Sequence, residues 1–340
     1  VLRLPRFSFH APSQLGEAAR ILSDSGPGAM LLAGGTDLLP NMKRGQQKPD
    51  TLVALGRIES LRQAIVDSPG ESGVKLGAGL KLAEIAANPM LRQRYAALWQ
   101  AAGLVASPQL RNMASLGGNL CLDTRCSYYD QSEHWRGAVD NCLKTGGDVC
   151  WVVTKSAQCR AVSSTDTAPA LLALGACVRL VSAVGERRLP LADFYFDDGI
   201  EYSARRPDEI LAEVLLEPAD GWKSTYWKLR RRGSIDFPLL SVAAAVRADP
   251  GGTVLEARLV LGALASRPVV SAGAADFLCG KKLDDEVIEE TGRMLADAVK
   301  PVNNTDMIPL WRKKAVPHYV RHALRELRGD DLGDLRRRCG

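Results

Sequence analysis

Five cysteines, Cys121, Cys126, Cys142, Cys150 and Cys159, fall within 39 residues, whereas the other 301 residues hold only Cys177, Cys279 and Cys339. Thiolates ligate metals and carry redox chemistry. The leading residues VLRLPRFSFHAPSQ show neither the apolar core nor the small-residue cleavage site of a secretory leader. The expectation is a cytoplasmic protein, in which such crowding argues for a metal or redox site and against a disulfide framework. Cys126, Cys142, Cys150 and Cys159 are separated by 16, 8 and 9 residues. A [4Fe–4S] cluster takes four thiolates and tolerates irregular loop spacing because it is compact. Structural zinc also takes four thiolates, but usually through short C-x-x-C-like knuckles, and the only close pair here is Cys121 with Cys126. Spacing alone leaves iron–sulfur, zinc and free redox thiols open. Cys121 is the natural spare, because a glycine turn just before it ties down its position. Cys177, in the apolar run LLALGACVRLV, reads as a core residue, Cys279 as structural and Cys339 as part of a frayed tail.

Two glycine pairs offer a second chemistry. In LLAGGTDLLPN, residues 31–41, Gly34-Gly35 follows a short apolar run. A backbone without Cβ there lets N–H groups converge on a phosphate, and Thr36 and Asp37 add a hydroxyl and a carboxylate. ASLGGNLC, residues 114–121, repeats the arrangement with Gly117-Gly118 between Ser115 and Asn119. Either pair alone reads as a plain turn at the end of a strand. Two on separate segments could grip a dinucleotide from both sides. Neither is a Rossmann fingerprint: in the nearest candidate, Gly77-Ala78-Gly79, Leu82 stands where the third glycine belongs. His318 and His322 lie at i, i+4 without the Glu of an H-E-x-x-H site, His134 reads as packing within the cysteine segment, and His10 has no visible partner. No nucleophile elbow, P-loop or paired-acid motif occurs, so an electron-transfer role fits better than substrate chemistry on this chain.

The elements that must position these residues follow from periodicity. Residues 1–56 read as a small α/β unit. Ser13 could cap a helix with Leu15, Ala18, Ala19 and Leu22 on one face, and strands are predicted at Ala29–Leu32 and Thr51–Leu55. Residues 57–220 read as a second unit. It has a strand at Val74–Ala78, helices around Leu82–Ala87 and Leu91–Leu104, and strands near Cys177–Ser182, Arg187–Leu191 and Ile210–Leu216. Into it is inserted a cysteine-rich segment, about residues 121–162, with neither helical nor strand period; a metal centre would give such a loop its order. Residues 221–328 read as a sheet of longer alternating strands, Thr225–Arg231, Ser241–Ala248 and Thr253–Gly262. A terminal helix follows, striped by Tyr319, Val320, Ala323, Leu324 and Leu327, and residues 329–340 read as a tail. The class is α+β. With 46% hydrophobic residues the chain can fill two or three modest cores, and no run approaches the roughly 20 apolar residues that span a bilayer. The net charge of +5 is dispersed, apart from Arg230–Arg232 and Arg336–Arg338, which argues against a nucleic-acid surface.

LLAGGTDLLPNMKRG, ASLGGNL, STDTAPALL and YWKLRRRGSIDFPLLSVAAAV, in this order, resemble the FAD-binding medium subunit of the xanthine oxidase family of molybdenum hydroxylases. The resemblance covers essentially the whole chain. It implies a two-subdomain FAD-binding domain followed by a C-terminal domain of antiparallel sheet plus helices. It also implies an FAD site on Ala33, Gly34, Gly35, Thr36, Asp37, Leu38, Ser115, Gly118 and Asn119, with Asp166 and Lys228 toward the flavin and Val105 and Leu211 as apolar contacts. Asp166 is preceded by Ser164-Thr165, where many relatives have Ser-Asp. Asn119 and Asp166 are 47 residues apart, far more than in most of the family, and the excess is the cysteine segment. Within the family this inserted loop is similar to that of the β subunit of 4-hydroxybenzoyl-CoA reductase, which carries an additional [4Fe–4S] cluster; the likeness implies Cys126, Cys142, Cys150 and Cys159 as ligands. It further implies a molybdopterin-bearing large subunit and a [2Fe–2S] small subunit as partners, in a dimer of heterotrimers. Reduced ferredoxin would be the donor, and the activity the reductive dehydroxylation of 4-hydroxybenzoyl-CoA to benzoyl-CoA in anaerobic aromatic degradation. An oxidative molybdenum hydroxylase of aromatic or purine type, and a flavin-free assembly protein stabilised by zinc, are the rival readings.

Overall fold

The computed structural model of the chain describes residues 3–68 and 71–339 and contains three sheets. The first is parallel. Its strands β1 (Ser8–His10), β2 (Ala29–Leu32) and β3 (Thr51–Ala54) lie in the order β1-β3-β2, with Leu31 opposite Val53. Between β1 and β2 runs the helix Leu15–Ser25. Its Ala18, Ala19 and Leu22 share one helical face and pack on Val53 and Ile58. Gln14, not Ser13, occupies the N-cap position, and no side chain caps this helix.

The second sheet is antiparallel, in the order β4-β5-β8-β6-β7. It is built from β4 (Ala64–Ser68), β5 (Glu71–Gly77), β6 (Cys177–Ser182), β7 (Gly185–Pro190) and β8 (Ile210–Leu216). The chain leaves this sheet at Gly77 and returns at Cys177, and the second glycine motif, Asp166 and the cysteine segment lie in that excursion. The helical stretch expected over residues 91–104 is broken in two at Tyr95, which leaves helical geometry (φ −131°, ψ 53°). Burial explains the break, because the Tyr95 hydroxyl donates to the Glu217 carbonyl at 2.8 Å. The helix Thr167–Ala173 is buried on every side, as a core helix must be if it is apolar all round.

The third sheet, β12-β11-β10-β9, consists of β9 (Trp222–Leu229), β10 (Leu240–Ala248), β11 (Val254–Gly262) and β12 (Val269–Val270). Strand β10 is buried on both faces. Val242, Ala244 and Val246 point into the C-terminal core with Tyr319, Val320, Ala323, Leu324 and Leu327, while Ala243 and Ala245 point into the core of the second unit. A strand covered on both sides needs a near-continuous apolar run, which LLSVAAAV supplies. Residues 329–339 contain a docked helix, Gly333–Cys339, rather than a loose tail: Arg336 donates to Thr225 Oγ1 at 2.8 Å and to the Tyr226 carbonyl at 3.1 Å. Cys177 is only half-buried, not the core residue its apolar context predicts, and Cys279, read as structural, is exposed. Among the described residues no helix is long and apolar enough to cross a membrane.

Candidate cofactor cavities

A cavity of about 860 Å³ opens where the first sheet meets the second unit, within the range of about 300–1,000 Å³ usual for small-molecule sites. Ala33, Gly34, Gly35, Thr36, Asp37, Leu38, Val105, Ser115, Gly118, Asn119, Asp166 and Leu211 all line it. Lys228 does not; it stands behind Asp166.

The two glycine segments meet here, and the reason is steric. A Cβ on Gly34 would lie 2.1 Å from the Met113 carbonyl oxygen, so only glycine allows the 33–37 turn to rest on the backbone beside the second motif. Gly35 takes a left-handed φ of +70°, which turns the chain into the helix Leu38–Lys43. No backbone carbonyl of the described residues accepts from the amides of Gly35, Thr36 and Asp37. Adjacent free amides lining a cavity are natural partners for an oxyanion. The second motif is not a turn but the start of a short helix, Leu116–Leu120, whose cap Ser115 accepts from Gly118 N at 3.2 Å. Its two glycines have different duties. Gly117 is a packing glycine, since its N–H donates to the Ala78 carbonyl at 2.7 Å and a Cβ would lie 2.7 Å from Ala78 Cβ. Gly118 has room for a ligand beside it, its added Cβ meeting only Ser115 Oγ.

Asn119 holds the far wall. Its Oδ1 accepts from Thr165 Oγ1 at 2.8 Å, Thr167 Oγ1 at 2.7 Å and Thr167 N at 3.1 Å, which fixes Asp166 between them. Asp166 is buried and accepts from the Tyr226 hydroxyl at 2.6 Å and from Lys228 Nζ at 3.0 Å; Lys228 also donates to the Leu104 carbonyl at 3.0 Å. Burial pushes the Asp166 carboxyl up and the Lys228 ammonium down, and the attraction between them opposes both shifts. Arg125 escaped the sequence reading. It pairs with Asp37, lies 4.7 Å from the Phe237 ring centroid, lines the cavity, and its buried Nε has no partner among the described residues. A cation with an unused donor beside free amides suits a pyrophosphate. Nothing in a glycine motif points to it; the only signal was its place beside Cys126.

The second site is the cysteine segment. Arg125 and Val162 exchange backbone hydrogen bonds at 2.8 and 2.7 Å and close its neck. Inside, the segment is less irregular than its sequence predicts. A helix, Glu133–Ala138, is capped by Ser132 Oγ, and a short 3₁₀ turn, Leu143–Thr145, follows Cys142 directly. Left-handed Asp140, Asn141 and Gly146 tighten the turns between them. Cys126, Cys142, Cys150 and Cys159 all line one small cavity, with Tyr129 and Lys144 at its edge. Cys121 lies instead on the larger cavity. Burial pushes the Cys126 thiol up to about 11, opposed by the backbone N–H groups of Tyr128 and Tyr129; burial also raises Cys159, opposed first by the Ala161 N–H. Amides aimed at sulfur suit a cluster, whose sulfurs accept such bonds. Among the described residues no three Cys, His, Asp or Glu side chains gather tightly enough to hold a single metal ion.

Comparison with known proteins agrees with this geometry. The FAD-binding domain in molybdopterin dehydrogenases matches residues 5–218, and the CO dehydrogenase flavoprotein C-terminal domain matches residues 224–327. The chain therefore belongs to the FAD-binding subunits of the molybdenum hydroxylase family, and it is an oxidoreductase subunit that binds FAD. The aldehyde oxidoreductase FAD-binding subunit PaoB of Escherichia coli is 34% identical over 272 residues, which is 77% of this chain and 82% of the relative. The nicotinate dehydrogenase FAD-subunit of Eubacterium barkeri is 28% identical over 315 residues, covering 91% of this chain and 92% of that one. Among solved structures, the carbon monoxide dehydrogenase of Hydrogenophaga pseudoflava superposes with a TM-score of 0.78 at 25% identity, over 95% of this chain and 97% of that one.

Proposed function

We propose that this chain is the electron-transfer subunit of a molybdenum hydroxylase complex, with FAD in the large cavity and a [4Fe–4S] cluster bound by Cys126, Cys142, Cys150 and Cys159. The supporting observation is that these four thiols, scattered over 34 residues of sequence, line one cavity. The irregular spacing of 16, 8 and 9 residues, without a short C-x-x-C knuckle, favours iron–sulfur over the zinc reading. When bound, FAD supplies exchange of one or two electrons and the cluster supplies exchange of one. The chain's own work is to hold and insulate. The 33–37 amides and Arg125 would take the pyrophosphate. Asp166, fixed by Tyr226, Lys228 and Asn119, would offer one buried carboxylate at a set place. Phe237 and Ile235, exposed at the cavity edge, would limit water.

The partners follow from the family: a molybdopterin-bearing large subunit, on which substrate chemistry resides, and a [2Fe–2S] small subunit. The relatives' names, an aldehyde oxidoreductase and a nicotinate dehydrogenase, favour an oxidative complex. The long insert supports the second reading, reductive dehydroxylation of 4-hydroxybenzoyl-CoA with ferredoxin as donor. Co-expression with the partner subunits tests both. We expect extractable FAD and about four iron and four sulfide per chain beyond those of the small subunit. Oxidation of aldehydes or N-heteroaromatics without reduction of 4-hydroxybenzoyl-CoA decides for the first reading. Zinc in place of iron sinks the cluster.

A further inference from the structure

Lys144 lies two residues after Cys142, and only 8% of its side chain is exposed. Its ammonium donates to Asp123 Oδ1, Thr124 Oγ1 and the Gly199 carbonyl, each at 2.6 Å. It also sits over two aromatic rings, 4.8 Å from the centroid of Tyr129 and 5.6 Å from that of Tyr202. These partners belong to both sites. Tyr129 and Lys144 itself line the cysteine cavity, whereas Asp123 and Tyr202 line the FAD cavity. Gly199 joins the two more tightly still: its N–H donates to the Cys159 carbonyl at 2.8 Å, and a Cβ on it would lie 2.6 Å from Cys159 Sγ. A single buried ammonium thus touches three segments that form the partition between the cavities.

Resting on the reading that the four cysteines hold a cluster, we infer that Lys144 is a positioning residue that sets the cluster's affinity for an electron and fixes its loop against the FAD cavity. The sign follows from charge. A cluster held by four thiolates is anionic, and each added electron makes it more so. A cation in a medium of low dielectric stabilises the reduced form and raises the potential. The Asp123 carboxylate lines the FAD cavity and accepts from the Tyr129 hydroxyl at 3.3 Å, whereas the ammonium's residue lines the cysteine cavity. Arg136, another buried cation of the segment, is turned to the carbonyls of Tyr129 and Gln131, and Arg125 is paired with Asp37.

The test uses the intact complex with Lys144→Gln and Lys144→Arg, after iron, sulfide and FAD have been measured in each. A wild-type complex without the extra iron defeats the cluster reading itself, before any potential is taken. With the cluster present, redox titration followed by electron paramagnetic resonance reads its midpoint. At the wild-type midpoint, the Gln variant should hold at least tenfold less reduced relative to oxidised cluster, a negative shift of about 59 mV or more for one electron. The Arg variant should stay within twofold of wild type, as should the flavin midpoint in both. A Gln midpoint equal to wild type overturns the inference, and so does an Arg variant shifted as far as Gln. Loss of iron from either variant makes Lys144 a purely structural residue and overturns it as well.

Discussion

The two sites are built on opposite principles. The FAD cavity borrows its walls from elements that have cores of their own: the 33–37 turn ends a strand of the first sheet, and residues 115–120 and 166–173 are packed into the core of the second unit. The cysteine segment has almost no core. Its buried apolar cluster is Cys126, Tyr129, Cys159 and Ala161, two of the four being cysteines. A wall held by packing exists before its ligand arrives. On the proposed reading the cysteine loop gets its order from its cluster, because binding free energy becomes folding free energy.

The largest expected effect breaks the second site and spares the first. Cys142→Ser or Cys159→Ser should remove nearly all of the extra iron and open residues 126–159 to protease, while FAD content falls less than twofold. Cys121→Ser, on the other cavity, should keep both cofactors. Equal iron loss in Cys121→Ser and Cys142→Ser, measured by metal analysis, would overturn the ligand assignment. The mirror experiment is Gly34→Ala. Its methyl cannot fit against the Met113 carbonyl, and backbone must move at a cost of about 1–3 kcal/mol. We expect FAD content down at least tenfold with iron unchanged; a variant that keeps both would show that the turn yields more easily than its packing implies.

The same contrast governs what could be read before the fold was known. The FAD site was legible because glycine is required where backbone meets backbone, as at Gly34, and such pairs survive as short local motifs. The cysteines were legible as a set but not as a geometry. Spacings of 16, 8 and 9 residues fit several metals, and only the folded segment puts four on one cavity and leaves Cys121 outside. Arg125, Lys144 and Phe237 were not legible, since each acts through contacts distant in sequence and none sits in a motif. Ser115–Asn119 was read as a turn because Gly117-Gly118 disfavours helix; the Ser115 cap and burial against Ala78 outweigh that propensity. The break at Tyr95 was invisible for a similar reason, its cause being a carbonyl 122 residues away.

A smaller effect concerns how the cysteine segment is tied to the C-terminal unit. Asn304 donates from Nδ2 to the Arg160 carbonyl at 2.6 Å, and its backbone carbonyl accepts from Ser127 N at 2.9 Å, one residue beyond Cys159 and Cys126 respectively. Its Oδ1 is also the acceptor for Arg312 at 3.5 Å. Arg312 is fully buried, its Nε and Nη2 lack partners among the described residues, and burial pushes its guanidinium down to about 10. Asn304→Ala should cost about 1–3 kcal/mol, because it strands both a carbonyl and a buried cation. Proteolysis of the cysteine segment should quicken severalfold at constant FAD content. No change in cleavage rate would mean that the neck at Arg125 and Val162 carries the loop alone.

The smallest effect belongs to the FAD side and depends on pH. Glu209 precedes Ile210 and Leu211 of the cavity wall, and its carboxylate is 2% exposed. Burial alone would raise its pKa, but Arg187 at 2.7 and 2.9 Å and the Arg206 amide at 2.7 Å prevail and hold it below 4.5. A carboxyl depressed in the folded state stabilises the fold above its unfolded pKa, and that contribution drains away as pH falls through the lower folded value. Glu209→Gln should therefore lose about 1 kcal/mol at neutral pH, and the gap from wild type should narrow in acid, below the ordinary glutamate range. Urea unfolding at neutral and acid pH reads it. If the gap persists in acid, the side chain contributes shape rather than charge, and this edge of the cavity is held by packing like the rest of its walls.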